Sequence, residues 1–231
     1  MGDRDFIAEV LFTLSLLGAH LSRLAEDLIL FGSSEFAFVR YGDAFSTGSS
    51  MMPQKRNPDA LELARGSSAR MLGDLVALLA TIKGLPSGYN KDLQEDKRTL
   101  FDAADGMTLL LPAVAGSLEA LTFDVDRMKS AVTSTMMATD LADYLVRKRV
   151  TFREAHGAVG RLVREAEEKH CELGALPFAS FRAAHAKFDA DVMAELSPSA
   201  SLANREIDGG TGPQAVKRQL AAAKSAIKTN V

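Results

Sequence analysis

The sequence predicts an all-α protein, a bundle of long helices followed by a smaller helical domain. Three observations carry this. Apolar residues recur at three- and four-residue steps through most of the chain, as one face of a helix requires. Strand-like alternation is nearly absent. The periodic runs are long up to about residue 130 and short beyond it, so the predicted domains are 1–130 and 131–231.

In the first run Val10, Leu14, Leu17, Leu21, Leu24, Leu28 and Phe31 alternate steps of four and three, a coiled-coil-like seam. Ile7, Leu11, Phe12, Leu16, Ile29 and Leu30 lie on other faces of the same helix. A helix apolar on several faces must be covered on several faces, which points to packing inside an oligomer. His20 falls in this helix and is expected to be buried. The stretch "SSEFAFVRYGDAFSTGSSMMPQKR" interrupts the pattern. Asn57 and Pro58 then open a second helix, with Asn57 as N-cap and Pro58 at the first helical position. Leu61, Leu72, Leu75, Leu79 and Ile82 line its buried side until "KGLPSGYN" stops it. A third helix spans roughly 93–122, and Pro112 is expected to kink it. Three helices of this length fit antiparallel bundle packing. Beyond them come "ATDLADYLVRKR" and "TFREAHGAVGRLVREAEEKH", the latter opened by Thr151 as a cap. Pro177, Pro198 and "DGGTGP" punctuate the rest, and a last helix starts at Pro213.

The bulk numbers exclude several classes. With 231 residues, 47% hydrophobic, 25% charged and a net charge of −3, the chain has an ordinary globular composition. It lacks the basic excess of a general nucleic-acid binder. One cysteine, Cys171, excludes an internal disulfide framework and suits a reducing cytoplasm. The uncharged apolar stretches around 10–22 and 106–118 are too short to span a bilayer. The opening "MGDRDFIAEV" carries acids where a secretory leader would be basic, so no export signal is expected. His20, His156, His170 and His185 have no metal-ligand spacing, and no Gly-x-Gly-x-x-Gly follows a strand, so neither metal nor cofactor is expected.

Two short stretches are dense in chemistry. "STGSSMMPQKRNPD", residues 46–59, sets small hydroxyl residues and Lys55 directly before a helix start. Free backbone N–H groups and a partial positive charge at that helix end, with the lysine beside them, favour a carboxylate or phosphate. The same residues also describe a surface loop with a good helix cap. The Gly-x4-Gly-Lys-Ser/Thr spacing of a phosphate loop is absent. In "GLPSGYNKDLQEDKRTL", Tyr89, Asn90, Lys91, Asp92, Gln94, Glu95, Asp96 and Lys97 mix donors and acceptors at a second helix start. A solvated helix start has the same look.

"GSSMMPQKRNPD" resembles the Gly-Ser-Ser-x-Met-Pro-x-Lys-x-Asn-Pro signature of the fumarase/aspartase superfamily, and "GLPSGYNKDLQEDK" resembles its argininosuccinate lyase family. The similarity continues through "DRDFIAEVLF", "HLSRLAEDLI", "ATDLADYLVRK" and "GGTGP", where Gly212 replaces the family's alanine. The resemblance implies a cofactor-free elimination of fumarate from argininosuccinate that leaves arginine. It implies Ser49 as the catalytic serine of a mobile loop, either base or proton donor. Lys55 and the helix start at Asn57 would meet the negative charge of an aci-carboxylate intermediate. Glu62 would orient a catalytic histidine, which without the resemblance reads simply as an acid near a helix N-terminus. Tyr89, Gln94 and Lys97 would bind substrate, alongside Asn57. Family chains are about twice this length, and the histidine belongs to a Thr-x-x-x-His motif in their amino-terminal half. The chain is therefore expected to be a fragment, inactive alone, of a homotetramer whose sites draw on three subunits. Other lyases of the superfamily, or a non-catalytic structural derivative of the bundle, compete with this reading.

Overall fold

Three long helices carry the first half of the chain: α1 (Asp5–Phe31), α2 (Asp59–Ile82) and α3 (Asp96–Glu119). They are seen in a computed structural model that describes residues 2–229. The chain divides into two compact units at Met128–Lys129. Among the described residues the one sheet is a two-residue antiparallel pair, β1 (Val39–Arg40) and β2 (Thr122–Phe123), with Val39 opposite Phe123.

The buried stripe of α1 is Ile7, Leu11, Ser15, Gly18, Ala25 and Leu28, rotated from the expected seam. Val10 and Leu24 are exposed, while Leu14, Leu17 and Leu21 are half-buried. The reason is close approach. Ser15 donates to the carbonyls of Leu11 and Met71 at 2.7 and 2.9 Å, and a Cβ at Gly18 would lie 3.1 Å from Met71 Sδ. Small residues thus mark the interface with α2, and a search for large apolar ones passes over them. His20 is exposed rather than buried, because it lies off this stripe. On α2 the buried residues are Leu61, Ala64, Met71 and Leu78, with Leu75 and Ile82 half-buried. Leu72 and Leu79, expected inside, are 55% and 45% exposed. Each adjoins a buried neighbour, and a helix apolar on two faces leaves its orientation open by one residue, about 100°. Helix α3 runs through Pro112 without ending, and its first turn is preceded by a 3-10 turn over Lys91–Glu95.

At 27 residues α1 is long and apolar enough to cross a membrane by length and composition, a difference from the sequence expectation. Its buried stripe packs on α2 and α3, as the core helix of a bundle does.

A short helix α4 (Val125–Ser130) crosses the boundary. The second unit holds α5 (Ala138–Arg147), α6 (Phe152–Glu168), α7 (Phe178–Ala184), α8 (Pro198–Ala203) and α9 (Pro213–Thr229). Leu141, Leu145, Leu162, Phe181, Phe188 and Val192 are fully buried at its centre, where Tyr144 stacks on Phe188 with centroids 5.8 Å apart. Thr151 caps α6 as expected, accepting the Glu154 amide at 3.3 Å. Buried Asp140 accepts from Ser201 at 2.7 Å and pairs with Arg205 at 2.9 Å, which fastens α8 to α5. The Glu206 carboxylate accepts the Gln214 and Ala215 amides and so caps α9.

Candidate functional site

The serine-rich stretch is a closed loop. Thr47 and Asn57 exchange both backbone hydrogen bonds, at 3.2 and 2.9 Å, and pinch off residues 48–56. Asn57 Nδ2 donates to Thr47 Oγ1 at 3.3 Å. Asn57 is therefore not the N-cap. Pro58 takes that position, its carbonyl accepting the amides of Leu61 and Glu62, and α2 begins at Asp59. Asn57 is not the cap because the Pro58 backbone, at φ −82° and ψ 53°, is not helical, so α2 starts one residue later than expected.

Ser49 is half-buried, two residues past the bridge at Thr47. Its Oγ accepts the backbone amides of Met51 and Met52 at 3.2 and 3.3 Å. Two N–H dipoles aimed at one hydroxyl oxygen favour negative charge on that oxygen. Lys55 is exposed, its amide bonded to the Met52 carbonyl at 3.0 Å. Asp59 and Glu62 stand in the first turn of α2, so carboxylates already face that helix end. Asp59 Oδ2 is buried with no hydrogen-bond partner, and Glu62 is exposed. Burial pushes the Tyr41 phenol above its ordinary range, and the charge of Glu62 adds to the rise.

Residues within the motif and before it hold this loop in place. Arg56 Nη1 pairs with Asp43 Oδ1 at 2.8 Å and donates to the Tyr41 carbonyl at 3.3 Å. The Tyr41 hydroxyl donates to the carbonyls of Leu28 and Ile29 at the end of α1. Sequence reading missed Tyr41, Asp43, Thr47 and Arg56 as loop supports. A pair of residues ten apart, Thr47 and Asn57, on either side of a proline-bearing loop was the available signal.

Tyr89, Gln94 and Lys97 lie elsewhere. They follow the carboxy-terminal end of α2, whereas Ser49, Lys55, Asn57 and Glu62 flank or begin its amino-terminal end. At about 1.5 Å per residue, the 24 residues of α2 separate its ends by about 36 Å. The structure brings together two half-sets of predicted residues, not one set. Tyr89 is 54% exposed and Gln94 is exposed. Lys97 is ion-paired at 2.7 Å with Asp96, which is buried and also bonded to Arg4. Burial raises the Asp96 carboxyl, but the hydrogen bonds and charges of Lys97 and Arg4 outweigh it and hold the group below its ordinary range. His156 and His170 are exposed and His185 faces Glu154, all in the second unit.

Comparison with known proteins places this geometry. A family model described as lyase matches residues 1–73, and one described as argininosuccinate lyase C-terminal matches residues 135–203. An argininosuccinate lyase of Roseiflexus sp. (strain RS-1) is 54% identical over 228 residues, covering 99% of this chain and 50% of that protein. One from Herpetosiphon aurantiacus is 54% identical over 222 residues, covering 96% of this chain and 49% of its own length. Among solved structures, an EDDS lyase variant with bound fumarate superposes with a TM-score of 0.83 at 27% identity, covering 98% of this chain and 47% of that one. A 3-carboxy-cis,cis-muconate lactonizing enzyme from Pseudomonas putida shares the fold at a TM-score of 0.64 and 24% identity. The chain spans about half the length of the curated relatives it matches, and over that span it is similar to argininosuccinate lyases along nearly its whole length.

Proposed function

We propose that the chain contributes the serine loop and part of the substrate pocket to a carbon–nitrogen lyase that splits argininosuccinate into arginine and fumarate. The observation that carries this is the Ser49 hydroxyl facing two backbone amides in a loop closed by Thr47 and Asn57. Elimination needs a base at the carbon beside a carboxylate. Serine serves as one only where its alkoxide is stabilised. The Met51 and Met52 amides supply that stabilisation, and Lys55 in the same loop adds positive charge. The proton leaves that carbon, the C–N bond breaks, and the guanidino nitrogen takes up a proton from a general acid. The charge on the carboxylate develops in the transition state leading to the aci-carboxylate, where Lys55 acts and which the ground state lacks.

Glu62, exposed one turn into α2, is available to orient a histidine from the half of the relatives' length that this chain does not match. Tyr89, Gln94 and Lys97, about 36 Å away along α2, serve a different copy's serine loop. A complete site therefore needs several copies of the chain. The exposed apolar residues Val10, Leu16 and Leu24 on α1 and Leu72, Val76 and Leu79 on α2 suit a homo-oligomer, which we take to be a tetramer. The single half-buried Cys171 suits a reducing cytoplasm. The fumarate bound to the EDDS lyase variant agrees with fumarate as a product.

The test is complementation. The chain is mixed with the unmatched half of the Roseiflexus relative, and fumarate release is followed by its ultraviolet absorbance on argininosuccinate, adenylosuccinate and malate. Turnover of argininosuccinate, lost in Ser49→Ala while helix content is kept, is expected. Preference for another substrate would reassign the lyase, and assembly without any turnover would favour a structural derivative.

A further inference from the structure

The serine loop hangs from a strap laid across the ends of two bundle helices. Residues 41–45 follow β1 and meet the bundle at two notches left by glycine. The Tyr41 ring occupies the place of a side chain at Gly32, just past α1, and its hydroxyl donates to the Leu28 and Ile29 carbonyls in the last turn of that helix. The Phe45 ring occupies the place of a side chain at Gly116, in the last turn of α3. A Cβ at either glycine would overlap the ring that fills the notch. Between these anchors Gly42 lies against Ala120, and Ser46 Oγ donates to the Gly42 carbonyl at 3.1 Å.

The loop is tied to this strap at two points. Arg56 reaches back to Asp43 and the Tyr41 carbonyl, and the Thr47–Asn57 bridge follows directly on the strap's end. The Arg56–Asp43 pair is solvent-exposed, so by itself it holds little. The rings in their notches carry the load, because a packed aromatic ring has few alternative positions.

We propose that residues 41–45 form a strap that positions the serine loop, with Phe45 in the Gly116 notch as its positioning residue. The strap sets where Ser49 stands without touching substrate. Its catalytic consequence rests on the lyase reading above, and its mechanical action does not.

Hydrogen exchange on the 231-residue chain tests it through the amides of 46–58, where Thr47, Met51, Met52, Lys55 and Asn57 are hydrogen-bonded. Gly116→Ala closes the notch and Phe45→Ala empties it. Each should speed exchange of 46–58 about tenfold or more while the centre of α2 exchanges as before. Adding Phe45→Leu, which removes the ring from the closed notch, should return Gly116→Ala toward the unsubstituted rate. A merely destabilising glycine substitution would speed α2 and α3 equally and gain nothing from Phe45→Leu. Either of those results, or unchanged exchange at 46–58, overturns the strap. If Gly116→Ala does not fold, Phe45→Ala makes the comparison alone.

In the complemented enzyme Phe45→Ala should lower kcat with KM little changed. Unchanged kcat beside accelerated loop exchange would refute the catalytic positioning. Absence of turnover in the unsubstituted complemented enzyme would count against the lyase reading, and the exchange result would still decide the strap.

Discussion

Replacing Asp96 by asparagine should destabilise the first unit by about 3 kcal/mol at neutral pH, and the loss should shrink in acid. The Asp96 side chain is 2% exposed and lies between Arg4, 13% exposed, and Lys97, 55% exposed. Removing one partner of a buried ion pair costs about 3–5 kcal/mol, because the remaining charge stays buried without compensation. The Arg4 guanidinium is that charge. Lys97 can turn to water, so its share is at most about 1 kcal/mol. Asparagine keeps the shape and one acceptor oxygen, which places the total at the low end.

The pH dependence has a definite sign. Burial raises the Asp96 carboxyl, yet Lys97 and Arg4 together hold it below the ordinary value. The native state therefore takes up this proton less readily than the unfolded chain. The stabilisation is fully present above the unfolded carboxylate value of about 4 and is lost as pH falls through the lower native one. Urea unfolding at neutral pH and in acid, for both proteins, gives the difference. It is read from the exchange of α3 amides, because two units need not unfold together. A variant as stable as the original at neutral pH, or a difference unchanged in acid, would refute the reasoning.

Lys55→Met should lower kcat of the complemented enzyme more than it alters KM, whereas Tyr89→Phe and Gln94→Ala should chiefly raise KM; a pure KM effect at Lys55 would count against its proposed role. Arg149 holds a left-handed backbone at φ 63° between α5 and α6, where a β-carbon is strained, so Arg149→Gly should raise stability by about 1 kcal/mol in thermal unfolding. Leu162 is fully buried in the second unit, and Leu162→Ala should cost about 2–5 kcal/mol by chemical denaturation. The 231-residue chain alone should release no fumarate from argininosuccinate; robust release would show that the segments in hand complete a site.

The sequence alone determined the helical class, the long-helix bundle, the Thr151 cap and the start of α9 at Pro213, because each rests on local chemistry. Periodicity, a threonine before an apolar run and a proline at a helix start act within a few residues of themselves. It also carried the resemblance to argininosuccinate lyases, since the serine-loop signature is a contiguous string. Only the tertiary structure decided which faces are buried. Leu72 and Met71 are both apolar, and the choice of Met71 depends on how closely α1 approaches through Ser15 and Gly18. It alone decided that Asn57 closes a loop with Thr47, a bridge between residues ten apart, and that α2 starts a residue later because Pro58 is not helical. It alone separated the two half-sets of site residues. In sequence Glu62 and Tyr89 read as neighbouring motifs, but the rigid rod of α2 between them carries each to an opposite end of the bundle.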